Sequence, residues 1–216
     1  MGRRAWPKVD KVGENSWITT FTGTRVFPHD PDPDTIHVPD IAHSLSLICR
    51  WGGHALVFYS VAEHSVRVGE LCFSLALANG MEPKEARIVA LLGIMHDATE
   101  AYVGDCVRPL KEVTRIETPR GLETFREMED HLYGKIEEGL RLPKLTPEYK
   151  KIIKIADDIL LVTEARDVQH GADWDYWEPP EPLPEVIQPM GHEEAKQAFL
   201  DAYTYYWYAT QADLFD

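Results

Sequence analysis

Cysteine is scarce in this chain. Cys49, Cys72 and Cys106 are the three among 216 residues, and no two have CxxC spacing. That excludes a zinc–thiolate finger and a disulfide framework, and it fits a reducing compartment. Positive charge is also short. Lys and Arg total 22 against 36 Asp and Glu, a formal net charge of −14. So acidic a chain is not built to coat a nucleic acid polymer. To handle phosphates it needs local cations or a metal ion to overcome its own field. No apolar run approaches the roughly 20 residues that span a bilayer. The start, Met1-Gly2-Arg3-Arg4, has no apolar signal core. No membrane partner and a cytoplasmic location are therefore expected. Internal repeats and low-complexity tracts are missing too. What is present is ordinary for a globular protein: 44% hydrophobic and 27% charged residues, enough for one sizeable core.

The pattern predicts a mainly α fold with a short N-terminal β arm, all in one domain over 1–216. The arm takes residues 1–40, the helical core 41–170, a loop 171–190 and a last helix 191–216. Ser16 to Phe21, Arg25-Val26-Phe27 and Thr35-Ile36-His37-Val38 are short β-type runs. Pro28, Pro31 and Pro33 make the intervening piece a loop. Asp40 is placed to cap a helix carrying Ile41, Leu45 and Ile48. Ser60-Val61-Ala62-Glu63 reads as a capping box opening a second helix, which Asn79-Gly80 stops. Pro83 suits a first helical turn, and Ala86 to Met95 form a buried, mostly apolar helix. Residues 122–140 predict a charged amphipathic helix. Another runs from Pro147 to about Val168, and an aromatic-rich one from Glu193 to Ala209.

Chemistry gathers at Leu91-Leu92-Gly93-Ile94-Met95-His96-Asp97-Ala98-Thr99-Glu100, followed by Gly104-Asp105. Imidazole with carboxylate suits a borderline or hard divalent cation. Neighbours on a helix point about 100° apart, so a His-Asp pair can share one ion only near a helix end or a distortion. Glu100, four residues on from His96, falls on the same face if the helix continues. There it can act as a general base or orient a water. His64, His96, Asp97 and one of Asp157-Asp158 stand in or beside apolar sequence, where an unpaired polar group is costly. A shared cation would explain all four. Taken singly, a helical His is more often an ordinary core or surface residue, and Asp157-Asp158 alone reads as a solvated face. Spacing leaves both readings open.

His64, the His96-Asp97 doublet and the Asp of Ile155-Ala156-Asp157 resemble the H…HD…D pattern of the HD-domain metal-dependent phosphohydrolases. Glu63-His64-Ser65, His96-Asp97-Ala98-Thr99-Glu100, Gly104-Asp105, Pro109-Leu110-Lys111 and Arg50-Trp51 are similar to the bacterial 5′-deoxynucleotidases of that superfamily and to the related phage dATP triphosphohydrolases. The Trp17–Gly23 arm and Asp40-Ile41-Ala42-His43 resemble the phage type. The likeness covers about 16–168, and nothing beyond 170 is recognisable. It implies an HD helical bundle in which His64, His96, Asp97 and Asp157 hold the metal. Asp157 is preferred to Asp158 because the family's ligand directly follows Ala. Glu100 would position or deprotonate the attacking water. Asp105 would contact sugar, water or a further metal; its plainer reading is a helix cap.

Arg50 and Lys111, cations beside the motifs, are candidate phosphate contacts or plain salt bridges. Trp51 can stack on a base or pack on deoxyribose, or be core. Pro109 is a candidate wall of the base pocket. His43 reads as a structural hydrogen-bonding residue and His54 as an exposed loop residue. The expected ion is zinc, cobalt or manganese, with magnesium at additional sites. The leading expectation is a dNTP triphosphohydrolase preferring dATP. The alternative is a 5′-deoxynucleotidase acting on dNMP, and a reading of another class is a non-catalytic nucleotide-binding module with a structural metal. The small-molecule partner is a deoxynucleotide, and the resemblance implies a homo-oligomer.

Overall fold

Two long helices at the centre set the geometry. A computed structural model describes residues 16–171 and 177–211. The expected arm before residue 16, residues 172–176 of the expected loop and residues 212–216 lie outside them. Helix α2 (Val61–Ala78) starts at Ser60, whose hydroxyl accepts from the Glu63 amide at 3.1 Å. The return half of the expected capping box is absent. The Glu63 carboxylate instead accepts from Arg67 at 2.8 Å and from the Met190 amide at 2.8 Å. The helix ends at Asn79-Gly80 as expected. Helix α3 (Pro83–Ile94) follows, with Pro83 in its first turn.

These helices pack closely at two glycines. A Cβ on Gly69 would collide with Ile94 Cγ1 and lie 3.0 Å from the Ala90 carbonyl oxygen. One on Gly93 would lie 2.8 Å from Cys72 Sγ. Helix α7 (Pro147–Asp167) closes one side of this pair, burying Ile152, Ala156 and Leu160 against Val68, Cys72 and Leu92. The other side is covered by α1 (Val38–Leu47) and α8 (His192–Gln211), through Ile41, Leu45 and Phe199.

Asp40 does not cap α1. Pro39 lies in the first turn and His37 is the N-cap, which puts Asp40 inside the helix. There its buried carboxylate fastens the hairpin of β1 (Ile18–Thr19) and β2 (Arg25–Val26). It accepts from the Thr22 amide at 2.7 Å and from the Thr20 and Thr22 hydroxyls at 2.9 Å each. Residues 35–38 are not a strand. A 3₁₀ turn spans Pro33–Thr35 and Val38 already belongs to α1. His43 is held by a stack on Phe21, ring centroids 3.9 Å apart, and its buried Nδ1 has no hydrogen-bond partner.

A second hairpin was not anticipated: β3 (Arg115–Thr118) pairs with β4 (Gly121–Thr124). It takes the first turn of the expected 122–140 helix. Helix α6 runs from Phe125 to Leu140 instead, behind a full capping box between Thr124 and Glu127. Two short helices, α4 (Glu100–Val103) and α5 (Arg108–Val113), were also unforeseen. The described part of the 171–190 loop has no helix or strand, yet it is tied down. Arg166 donates to the Leu183 and Glu185 carbonyls, and Asp167 accepts from the Ile187 amide at 2.8 Å. Among the described residues no helix is long and apolar enough to cross a membrane.

Candidate metal centre and active site

Helix α3 ends at Met95, and residues 95–99 continue as turns rather than helix. His96 and Asp97 are therefore freed from the 100° constraint. This also corrects the expected face-sharing of His96 and Glu100. The amides of Ala98 and Glu100 bond three residues back, to the Met95 and Asp97 carbonyls at 3.0 Å each. Glu100 then opens α4. Ending the helix frees the Gly93 carbonyl, which accepts from His96 Nδ1 at 2.7 Å. That bond puts the proton on Nδ1 and aims the Nε2 lone pair inward.

His64, in the first turns of α2, is treated the same way. Its Nδ1 donates to Glu164 Oε1 at 2.6 Å, leaving Nε2 free. Both Nε2 atoms are buried and have no hydrogen-bond partner. Ligand atoms of His64, His96 and Asp157 lie within 4.8 Å of one another. Asp97 Oδ2 stands 3.2 Å from His96 Nε2 and 3.7 Å from His64 Nε2. Asp157 Oδ1 is 3.4 Å from His64 Nε2. Asp158 is turned away and pairs with Lys154. His64, His96 and Asp157 thus form one group, with Asp97 beside both imidazoles, and two buried, orphaned imidazole nitrogens next to carboxylates suit a divalent cation.

The charges agree. Burial opposes ionisation at each position, and the neighbours outweigh it. Burial disfavours the His96 imidazolium, but Asp97 and Asp157 push it up to about 9. Burial and Arg50 oppose the His64 imidazolium, yet Glu164 and Asp157 raise it. Asp97, despite burial, is held far below the usual carboxylate range by His96, His64 and Arg50. Asp157 is likewise lowered, chiefly by His64. The carboxylates therefore favour positive charge at the centre, held by protons on the imidazoles and by Arg50 as it stands, and a divalent ion would displace those protons and free both Nε2 lone pairs.

Glu164 was missed by sequence reasoning. It is fully buried on α7 and also accepts from Arg50 Nε at 3.1 Å. It follows Asp157 by seven residues, two turns along the same face, and that spacing was the available signal. Arg50 is not an open phosphate contact. Its guanidinium is held by Glu164 and lies 3.6 Å from Asp97.

Glu100 is buried near the doublet, with Oε1 at 3.4 Å from Lys111 Nζ and Oε2 lacking any partner. Burial, then Asp97 and Asp105, push its carboxyl up to about 9. Lys111 also grips Glu129 at 2.8 Å. Asp105 lies in the link after Gly104 and caps nothing; the N-cap of α5 is Val107. Trp51 is half-buried in a left-handed turn with Gly52 and Gly53, at φ 62, 58 and 80. That is a strained conformation for a bulky residue. The turn rests against Val107, 3.1 Å from where a Gly52 Cβ would sit. Pro109 is exposed at the start of α5, and His54 is exposed as expected.

A cavity of about 730 Å³ opens on the centre, lined by His96, Asp97 and Asp157 and by residues of α6 and α7. Neither Trp51 nor Pro109 lines it. A helical body that converges H…HD…D on one buried point, beside a buried Glu, defines an HD-type phosphohydrolase. Over residues 39–204 the sequence matches the family of YfbR-like 5′-deoxynucleotidases, and the chain belongs to that family. It is thus a metal-dependent deoxynucleotide phosphohydrolase. The match extends through most of α8, where no resemblance was recognised.

The Escherichia coli (strain K12) uncharacterized protein YfdR is 39% identical over 161 residues, 74% of this chain and 77% of its own. A Yersinia pestis (strain Pestoides F) 5′-deoxynucleotidase is 28% identical over 58% of this chain and 52% of its own, so this chain spans about half of that protein. The cyanophage S-2L HD phosphohydrolase DatZ, solved with dA and one catalytic Zn²⁺, overlaps 76% of this chain and 81% of its own, at TM-score 0.49 and 21% identity. An overlap that loose says nothing about substrate.

Proposed function

We propose that this protein hydrolyses the bond between the 5′-oxygen of a deoxynucleoside and its phosphorus, with a dNTP as the preferred substrate. Water adds to that phosphorus, the P–O5′ bond breaks, and deoxynucleoside and triphosphate leave. The observation that carries the reading is the pair of orphaned, buried Nε2 atoms facing Asp97 and Asp157 beside Glu100. His64, His96, Asp97 and Asp157 would hold a zinc, cobalt or manganese ion, and magnesium would accompany a triphosphate. When bound, the ion lowers the pKa of water and polarises a phosphate oxygen.

The protein's own groups do the rest. Glu164 and the Gly93 carbonyl fix the two imidazoles. With an ion bound, its charge would offset the burial and the two aspartates that hold the proton on Glu100. The ionised Oε2, the unpartnered oxygen, takes the proton of the attacking water, and that proton passes to the leaving 5′-oxygen. Lys111 keeps Glu100 in place and adds positive charge at the cavity wall. Asp105 raises the proton affinity of Glu100 and faces the sugar. Arg50 balances Glu164 and Asp97 and contributes its charge to the phosphate from behind them. Trp51 and Pro109 would border the base at the turn outside the cavity, and dATP is the expected nucleotide. The assembly expected is a homo-oligomer.

The second reading is a 5′-deoxynucleotidase, favoured by the name of the matched family. It breaks the same bond with phosphate as the leaving product. A screen of all four dNTPs and dNMPs with zinc, cobalt, manganese and magnesium tests both. Triphosphate released from dATP supports the first reading. Phosphate from dAMP with dATP untouched reverses the order, and no product from any nucleotide sinks both.

A further inference from the structure

The cavity beside the metal centre concentrates cations in a chain that has few. Lys111, Arg126, Lys150, Lys151 and Lys154 line it, in a protein of net charge −14. Two of these are already engaged. Lys111 binds Glu100 and Glu129, and Lys154 binds Asp157 and Asp158. The side chains of Arg126, Lys150 and Lys151 have no hydrogen-bond or ion-pair partner among the described residues. An ordinary solvated helix face distributes its charges over a convex surface and pairs many of them at i,i+4. Here the unpaired cations line a concavity whose inner end is the metal centre.

Their spacing has a direction. Lys150, Lys154 and Asp157 follow one another at four and three residues along α7, a single stripe on one helical face. At 1.5 Å per residue, Lys154 stands about 4.5 Å and Lys150 about 10.5 Å along the axis from the ligand Asp157. Cationic side chains therefore extend outward from the reacting end. A phosphate bound at the metal presents any further phosphates to them. The same wall carries Asp130 and Glu129, and Glu129 is taken by Lys111.

We propose that Lys150, Lys151 and Arg126 form a subsite for the phosphate tail of a deoxynucleoside triphosphate, with the sugar-linked phosphorus at the Asp157 end. The proposal rests on the hydrolase reading above and deepens it. The reacting bond is the same in a dNMP and a dNTP, so the tail subsite sets which of them is preferred. Charge-assisted contacts to phosphate are about twice as strong as neutral ones, and three of them mark a tail clearly.

The test is the variant Lys150→Gln/Lys151→Gln/Arg126→Gln, three exposed positions. We expect the ratio of kcat/KM for dATP to that for dAMP to fall by about tenfold or more. A loss shared equally by dATP and dAMP overturns the subsite, because a merely structural defect lowers both. A second measurement needs no turnover: calorimetric titration of inorganic triphosphate into the chelator-treated protein. Wild type should bind and the variant should bind at least about tenfold more weakly; equal binding, or none to wild type, overturns the proposal. Triphosphate binding by these side chains in a protein that hydrolyses no nucleotide would sink the hydrolase reading and leave the subsite standing.

Discussion

Glu164→Gln probes the centre where sequence reasoning did not look. The side chain is fully buried and accepts from His64 Nδ1 at 2.6 Å and Arg50 Nε at 3.1 Å. Glutamine keeps the shape and one acceptor. If its oxygen keeps His64, its NH₂ faces the Arg50 N–H, donor against donor. Arg50 is then left with Asp97, 3.6 Å away. Breaking one side of a buried ion pair costs about 3–5 kcal/mol. For a chain of this size, about 3 kcal/mol lowers Tm by roughly 6–12 °C. The lost carboxylate also weakens the grip on the His64 tautomer, which should reduce zinc affinity about 10- to 100-fold. Thermal melts and chelator competition read the two effects separately. Adding Arg50→Met removes the stranded donor, so part of the stability should return while zinc affinity stays low. Wild-type zinc affinity in Glu164→Gln would refute the claim that this carboxylate orients the ligand. An unchanged Tm would refute the buried-pair argument.

Glu100→Gln should lower turnover by about 10²–10⁴-fold with metal content retained; unaltered turnover would favour a non-catalytic module. Gly69→Ala should destabilise by about 1–3 kcal/mol by forcing α2 from α3, measured as a lower urea midpoint. Asp40→Ala strands three donors of the β1–β2 hairpin, and limited proteolysis should then cut that arm before the helical body. Asp30 is held below the usual carboxylate range by a hydrogen bond from His131, helped by Lys135. A depressed acid stabilises above its ordinary pKa and loses that contribution as pH falls through the folded value. The small Tm gap between wild type and Asp30→Asn should therefore close on acidification from pH 6 to 3.

The long helices were legible because each carries its own punctuation. Ser60 and Asn79-Gly80 bound α2, Pro83 opens α3, and Pro147 opens α7. The gathering of His64, His96 and Asp157 with Asp97 beside them was open on spacing alone; the resemblance to the H…HD…D pattern singled those four out. What stayed hidden depended on partners far along the chain. Asp40 has the composition of a cap, but Pro39 starts the helix sooner and the carboxylate is used by Thr20 and Thr22. Glu63 has the spacing of a capping box, but Arg67 and the Met190 amide claim it. Arg50 beside the motifs looked like a phosphate contact, and only Glu164, 114 residues away, turns it inward. The β3–β4 hairpin was lost inside a longer amphipathic pattern, because Arg115 to Thr124 alternates without enough apolar residues to separate it from helix.

One physical arrangement connects the helix pair to the chemistry. His64 lies five residues before Gly69 on α2, and His96 three residues after Gly93 on α3. The two glycines are where the helices touch: a Gly93 Cβ would be 3.3 Å from Gly69 Cα. The separation of the helices at the glycines therefore sets the distance between the imidazoles, whose ring centroids stand 5.2 Å apart. A methyl group at either glycine would widen the crossing and move both Nε2 atoms from the shared point. The same closeness lets α3 stop at Met95 with its core already buried, so the chain can leave the helix at His96. There it can spend the Gly93 carbonyl on a ligand instead of on another helical turn. The His96-Asp97 doublet can face His64 because it sits just past a helix end, and the two glycines let that end come close.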